Sequence, residues 1–335
     1  MIRIFHNTTF DFIKHWRTAA IITVAFIALG LGSFAVTGGV KYSIEFTGGT
    51  LMQLEFKSPP DVAAIRSTVE SAGVAGAEIT QYGEATSYTV RAQDEASVDE
   101  QEAGAEGVAK RIQDALTQRF GADEVTVVRT EAVGPKVGAE LRRGAILALI
   151  ITSIISLIYL AIRFDWRFGT AAVLSLVHDV LLTFAFIKLF NIEVSLTVVA
   201  AVLTVLGYSA NDTIIIFDRV RENLKKHRKA NLYDTVNRSI NETIGRSVLT
   251  HATTLAATLG LLFFAGQVLR PFSIVMAFGV VVAVFSSMYV ASSLLIYIEH
   301  RYPRDTDDKN MRRETPATTA SKPAAPKPRT PAATR

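Results

Sequence analysis

Apolar residues in this chain gather into long uncharged runs instead of short amphipathic stripes. The runs at 18–40, 144–162, 247–269 (with His251) and 271–298 hold no Asp, Glu, Lys or Arg. Two further apolar stretches, 168–190 and 194–217, are interrupted only by His178, Asp179, Lys188 and Asp212. A helix crosses the ~30 Å hydrocarbon core in ~20 residues, so the pattern predicts six transmembrane helices. The fold class is a polytopic α-helical membrane protein.

The period changes between the first two runs. Residues 41–140 form the one large loop, and it is long enough to fold. A strand is predicted over 51–56, then a helix over 59–71 with proline at its start. Strands at 78–82 and 87–91 flank a glycine-containing turn. A helix over 98–120 ends at Gly121, a position that favours the left-handed cap. A last strand covers 124–130. The order βαββαβ is that of an α+β ferredoxin-like domain set between spans one and two. Two glycine-rich pieces, EFTGGT at 45–50 and AVGPKVGAELRRG at 132–144, read as turns between helix and domain. A phosphate cradle lacks its strand–glycine loop–helix context.

Charge supplies the orientation. Arg3, Lys14 and Arg17 precede span one, Arg163 and Arg167 separate spans two and three, and Arg301 and Arg304 follow span six. The segment 218–246 between spans four and five carries Arg219, Arg221, Lys225, Lys226, Arg228, Lys229 and Arg238. With six spans all these segments share one side, which the positive-inside rule makes cytoplasmic, together with both termini. The opposite side then holds 41–140, with 17 acidic and 9 basic side chains. The formal net charge of +4 is therefore a topology signal. Lys225 to Lys229 is a basic cluster beside a membrane without stacking aromatics, which fits anionic lipid and not nucleic acid.

Residues 1–17 make a short cytoplasmic lead with Phe5, Phe10, Phe12 and Trp16 suited to the interface. Span one, at 18–40, reads as an uncleaved anchor, and its Gly30, Gly32 and Ser33 suit close helix contact. Spans two to six lie within 141–298. Residues 303–335 are too rich in Ala, Pro, Thr and Lys to bury a core and read as a disordered cytoplasmic tail. The chain has no cysteine, which excludes disulfides, thiolate metal sites and cysteine nucleophiles. No cofactor or metal is called for.

The candidate chemistry lies inside the apolar runs. Eighteen uncharged residues from Val194 lead to Asp212, and five more follow before Asp218. At ~1.5 Å per residue, Asp212 lies roughly 9 Å inside the helix end. An ionised carboxylate there must face a bundle interior or wetted cavity, be paired, or be protonated part of the time. A packing role through a hydrogen bond to a neighbouring helix is the alternative. Span five opens at Arg246, which can neutralise Asp212 by turning inward. Ser247, Thr250, His251, Thr254 and Thr258 follow at helical spacing as one polar stripe. With Asn211 they can line a proton path, or they can serve ordinary helix contacts. His178 and Asp179 lie near the middle of span three and, ~100° apart on a helix, are not expected to serve one site. One of them would hold a neighbouring helix or face a partner subunit.

The residues HDVLLT at 178–183, LTVLGYSANDTIIIFDRVREN at 203–223 and SINETIGRSVLTHATTL at 239–255 resemble the SecF family of bacterial protein export. SIEFTGGT and VGPKVGAELRRG are similar to the segments that bracket that family's periplasmic domain. The resemblance runs from about residue 40 to residue 298, and leaves out the acidic stretch near 94–107 and the tail. It implies a bacterial inner-membrane protein whose domain 41–140 is periplasmic. It also implies a SecD partner, association with the SecYEG channel, YajC and translocating preproteins, and kinship with proton-driven resistance-nodulation-division machines. By this resemblance the proton-coupling positions are Asp212 and Arg246.

The function expected is use of the proton-motive force, with SecD, to promote late periplasmic stages of protein translocation. This is transport and not enzymology. A stand-alone proton-driven exporter of lipids or small molecules is the alternative. An intramembrane aspartyl protease using Asp179 and Asp212 fits poorly, since the chain has HD and GYSAND where those enzymes resemble a YD plus GxGD arrangement. A purely structural assembly subunit would tolerate Asp212→Asn.

Overall fold

The structure, a computed structural model, describes residues 8–92, 101–227 and 230–302. Six helical segments are long and apolar enough to cross a membrane: Ile13–Thr37, Pro135–Arg163, Trp166–Leu189, Leu196–Lys226, Leu232–Phe264 and Gln267–Arg301. Within them lie α1 (Trp16–Thr37), α5 (Pro135–Arg163), α6 (Trp166–Leu189), α7 (Leu196–Lys226) and α8 (Leu232–Phe264). The last segment comprises α9 (Arg270–Phe285), a π turn (Ser286–Ala291) and α10 (Ser292–Arg301). All six predicted spans are therefore present.

Their extents differ from the apolar runs. Helix α5 begins nine residues before the uncharged run, so most of the glycine-rich piece at 132–144 is helix, not turn. Helix α7 continues to Lys226 and α8 starts at Leu232, so most of the segment 218–246 belongs to two helical extensions. Polar residues end a bilayer crossing but not a helix. The extensions are tied by Arg219, which pairs with Glu222 one turn on and with Glu242 of α8 at 2.6 Å. Lys226 pairs with Glu222 at helical spacing.

Helices α6, α7 and α9–α10 are central, with about half of each apolar window buried (56%, 50% and 56%), against 17%, 11% and 17% for α1, α5 and α8. Tight crossings explain two glycines. A Cβ on Gly30 of α1 would collide with the Cβ of Ala185 on α6. One on Gly279 of α9 would collide with a Val205 methyl on α7. Gly32, also expected to serve helix contact, has nothing within 4 Å. Of the aromatics read as interfacial, Phe10 and Trp16 are exposed, but Phe12 is buried against Tyr289. Phe5 lies outside the described residues.

Between α1 and α5 in sequence the described residues fold into a small α+β unit. It comprises a single turn α2 (Ile44–Thr47), β1 (Gly49–Phe56), α3 (Val62–Ser71), β2 (Glu78–Gln81), β3 (Ser87–Ala92), α4 (Gln101–Phe120) and β4 (Val125–Val133). The sheet order is β2-β3-β1-β4 with every neighbouring pair antiparallel. Alternate side chains Met52, Leu54, Phe56, Tyr88 and Val90 face Ile65, Val69, Ile112 and Leu116 of the two helices. Asp61, not the proline pair before it, caps α3 by accepting from the Ala63 amide at 3.0 Å. Gly121 has φ +95°, as the cap reading requires. The residues predicted to open α4 at 98–100 lie outside the described residues, as does the first half of the acidic stretch near 94–107.

The two glycine-rich pieces meet each other. Gly48 (φ +76°) packs on Pro135, where a Cβ would come 2.8 Å from the proline Cα. A Cβ on Gly138 would come 2.9 Å from the Gly48 nitrogen. Side chains are absent there because backbone meets backbone.

Candidate functional site: a buried carboxylate junction

Helix α7 buries Val198, Val202, Val205, Ser209, Asp212, Ile216 and Val220 at steps of three and four. That periodicity turns Asp212 inward, where it is 1% exposed. Its Oδ1 accepts from the Ser247 hydroxyl of α8 at 2.5 Å, and its Oδ2 accepts from the Ser287 hydroxyl of the π turn. Three segments thus converge on one carboxylate.

Arg246 does not take the place expected for it. Helix α8 opens at Leu232, so Arg246 lies within a continuous helix and its side chain is exposed. Among the described residues it forms no ion pair, and the adjacent Ser247 faces Asp212 instead. Asn211, read as part of a polar path, is exposed on α7, one residue and ~100° from the buried face.

His251 is buried, one turn along α8 from Ser247. Its Nδ1–H donates to the Ser247 carbonyl at 2.7 Å, which leaves Nε2 buried without a hydrogen-bond partner. Tyr208 of α7 meets the ring edge-on at 6.1 Å and its hydroxyl lies 3.1 Å from Thr254 Oγ1. The threonine stripe is otherwise satisfied within its own helix. Thr254 donates to the Thr250 carbonyl at 3.0 Å and Thr258 to the Thr254 carbonyl at 2.7 Å. Thr250 and Thr254 are half-buried, and among the described residues Ser247 is the member of the stripe that hydrogen-bonds the carboxylate.

His178 and Asp179, taken as unsuited to one site, form one. Asp179 is 1% exposed, His178 Nδ1 lies 2.9 Å from its Oδ1, and Ser209 donates to its Oδ2. Two side chains that leave a helix ~100° apart can still meet when one ring folds back over its neighbour. The Ser286 hydroxyl, 2.8 Å from that of Ser175, lies near the Asp179 carboxylate. The sequence reading missed Ser209, Ser286 and Ser287. The signal was the serine pair at 286–287 within an apolar run, one that gives no direction on its own.

A second set of contacts joins α7 to the α+β unit. Glu45 of α2 accepts from the Leu196 amide at 2.6 Å, a carboxylate on the first turn of α7. The Ser43 amide donates to the Val194 carbonyl at 2.9 Å, and the Val194 amide to the Lys41 carbonyl at 2.8 Å. Arg91 of β3 pairs with Glu193 just before α7. Lys188, at the end of α6, donates to the Gly38 and Gly39 carbonyls at 2.6 Å and so holds the end of α1.

Among the described residues no group of three His, Asp or Glu side chains is placed to hold a metal ion. A groove in the α+β unit is lined by Glu55, Phe56, Lys57, Glu84, Thr86 and Thr126 and is mainly polar.

The chain is similar to known proteins over most of its length. Residues 112–301 match the family described as Protein export membrane protein SecD/SecF, C-terminal, and residues 34–60 match the SecD/SecF GG motif. The chain is similar to the protein translocase subunit SecF of Gemmatimonas aurantiaca, 66% identical over 313 residues, covering 93% of this chain and 94% of that one. The SecF subunit of Pseudomonas aeruginosa is 38% identical over 290 residues, covering 87% and 92%. Among solved structures, SecDF from Thermus thermophilus, described as a translocon-associated membrane protein, aligns with TM-score 0.75 at 36% identity. That alignment covers 88% of this chain and 39% of the other, so the chain spans about two fifths of that longer protein.

Proposed function

We propose, for a chain that belongs to the SecF family and is thus a multi-pass membrane subunit of Sec protein export, that Asp212 couples proton re-entry to late stages of translocation. The observation that carries this is a fully buried carboxylate held, among the described residues, by hydroxyls from two other segments. Ionised Asp212 accepts two hydrogen bonds. On taking a proton it becomes a donor, and at least one serine must turn its hydroxyl away or accept. The contact among α7, α8 and the π turn then changes with each proton. One charge crossing 100 mV is worth ~2.3 kcal/mol, comparable to one such buried hydrogen bond to a charge. Arg246 would complete the cycle by turning inward when the serines release Asp212. His251 lies one turn beyond as a further polar stop.

The domain at 41–140 takes part as well. Its strand order, its acidic charge and the Lys and Arg distribution support a ferredoxin-like domain on the periplasmic face of the bacterial inner membrane, with both termini cytoplasmic. Movement of α7 would reach it through Glu45, Val194 and the Arg91–Glu193 pair. The domain would bind a translocating chain or a partner without cutting it. The partner is a SecD-type protein, in keeping with the two-fifths coverage of the solved SecDF chain. SecYEG, YajC and preproteins complete the assembly, and anionic lipid meets the basic turn near 225–229.

Export measured with and without a proton gradient tests this role. Asp212→Asn keeps shape and hydrogen bonding but cannot exchange a proton, and should lose the gradient's stimulation at normal protein level. Undiminished stimulation would return Asp212 to packing.

A further inference from the structure

The buried groups that the proposed cycle leaves unused are His178, Asp179, Ser209, Ser175 and Ser286. Asp179 is as deeply buried as Asp212, and is set on α6 instead of α7. Its oxygens meet an imidazole and two hydroxyls, none of which carries a fixed positive charge.

The two carboxylates are neighbours through shared elements. Ser209, which donates to Asp179, lies one turn before Asp212 on α7. Ser286, which meets Asp179, precedes Ser287, which donates to Asp212. The link between them is a π turn, a local widening that frees a backbone carbonyl and often marks a functional position. Here the Ser292 hydroxyl donates to the Ser287 carbonyl across five residues at 2.9 Å. One turn of backbone therefore presents consecutive hydroxyls to two different acids.

The imidazole of His178 is only half satisfied. Its Nδ1 is engaged by Asp179, while its Nε2 is buried without a partner among the described residues. If Nδ1–H donates to ionised Asp179, Nε2 is an unsatisfied acceptor. If protonated Asp179 donates to Nδ1, Nε2–H is an unsatisfied donor. Neither form closes the hydrogen bonding among the described residues, so Nε2 keeps an open position at which a proton can be taken up or given off. The pair carries charge −1 without the proton and is neutral with it.

Other ionisable groups are few around this cluster. Helix α7, packed on α6, contributes Tyr208 and Asp212, α1 has none between Arg17 and Lys41, and α5 has only the exposed Tyr159 between Arg143 and Arg163. The last span has Tyr289 and Tyr297 between Arg270 and Glu299.

We infer that the His178–Asp179 pair is a second proton-binding site, in series with Asp212 and joined to it by the serines of the π turn. The pair takes up a proton and gives it up again, so it returns to its starting charge, and the π turn, whose adjacent serines lie at the two acids, links its state to that of Asp212. This inference rests on the proton-coupling role proposed for Asp212.

The test uses the complex of the full chain with its SecD-type partner in lipid, followed by infrared difference spectroscopy between alkaline and acid pH. Protonated carboxyl groups give a resolved band, and Asp179→Asn should remove one component while Asp212→Asn removes another. In the same variants, gradient-stimulated export should fall at least tenfold for Asp179→Asn and recover in part for Asp179→Glu. Ser175→Ala, which disturbs only a hydroxyl contact of Ser286, should leave the band in place. If Asp179→Asn does not assemble, His178→Gln decides: it keeps the carboxylate and should shift the midpoint pH of its band.

An unchanged spectrum in Asp179→Asn, or in His178→Gln where that variant stands in, overturns the inference. So does full gradient stimulation in Asp179→Asn. If Asp212→Asn also keeps its band and stimulation, the proposed function falls as well. If Asp212→Asn loses both while the His178–Asp179 variants do not, only the second site falls.

Discussion

Glu45→Ala removes the carboxylate that holds the first turn of α7. In the native chain Glu45 Oε2 accepts from the Leu196 amide at 2.6 Å and from Ser43 Oγ at 3.2 Å. A hydrogen bond to a charged group contributes ~1.5–3 kcal/mol, and a carboxylate at a helix N-terminus adds ~0.3–1 kcal/mol. Glu45 is half-buried, so water replaces part of the loss and the net cost comes to ~2 kcal/mol. At 1.4 kcal/mol per decade, local opening of the first turn should rise about 30-fold. Hydrogen exchange read over residues 196–199 measures this directly, with the C-terminal turns of α7 as an internal control. Glu45→Gln keeps an acceptor without the charge and should give a rise of only about fivefold. Unchanged exchange at 196–199 in Glu45→Ala would refute the clamp, and with it the Glu45 part of the route from α7 to the α+β unit.

Packing and topology carry three more expectations. Gly279→Ala places a methyl on Val205, whose branched side chain cannot swing clear, and should cost ~1–3 kcal/mol. Val205→Ala in the same chain should restore most of the thermal midpoint. Gly48→Ala combines a left-handed backbone with a clash against Pro135, and should lower stability by at least ~2 kcal/mol in denaturant titration. Ala85→Cys, at an exposed turn of this cysteine-free chain, should react with an impermeant thiol reagent in intact cells, and labelling only after lysis would reverse the topology.

The element pattern was largely legible because each span is a run that water rejects and each strand alternates. Asp212 was legible for the same reason: a carboxylate that follows eighteen uncharged residues must be paired, wetted or protonated. Helix ends were not, because Arg219, Glu222 and Lys226 prolong α7 through their own pairs after hydrophobicity stops. The partners of Asp212 were not legible either. Arg246 and Ser247 are adjacent in sequence, and only the azimuth of α8 decides which faces inward. Serines 286 and 287 look like ordinary span residues until a π turn aims them at two acids. The meeting of Gly48 with Pro135 and Gly138 joins pieces far apart in sequence, and neither piece announces the other.

Proton flux across vesicles holding the chain with its SecD-type partner reaches the central claim most directly. Export can fail for many reasons, whereas flux through Asp212 has one. A pH-sensitive dye inside the vesicles reads inward proton movement under an imposed gradient, for the native chain, Asp212→Glu and Asp212→Asn at equal protein content. The account predicts native flux above that of empty vesicles, partial flux with Asp212→Glu, and none beyond the empty-vesicle leak with Asp212→Asn. Flux in Asp212→Asn equal to that of the native chain would contradict it.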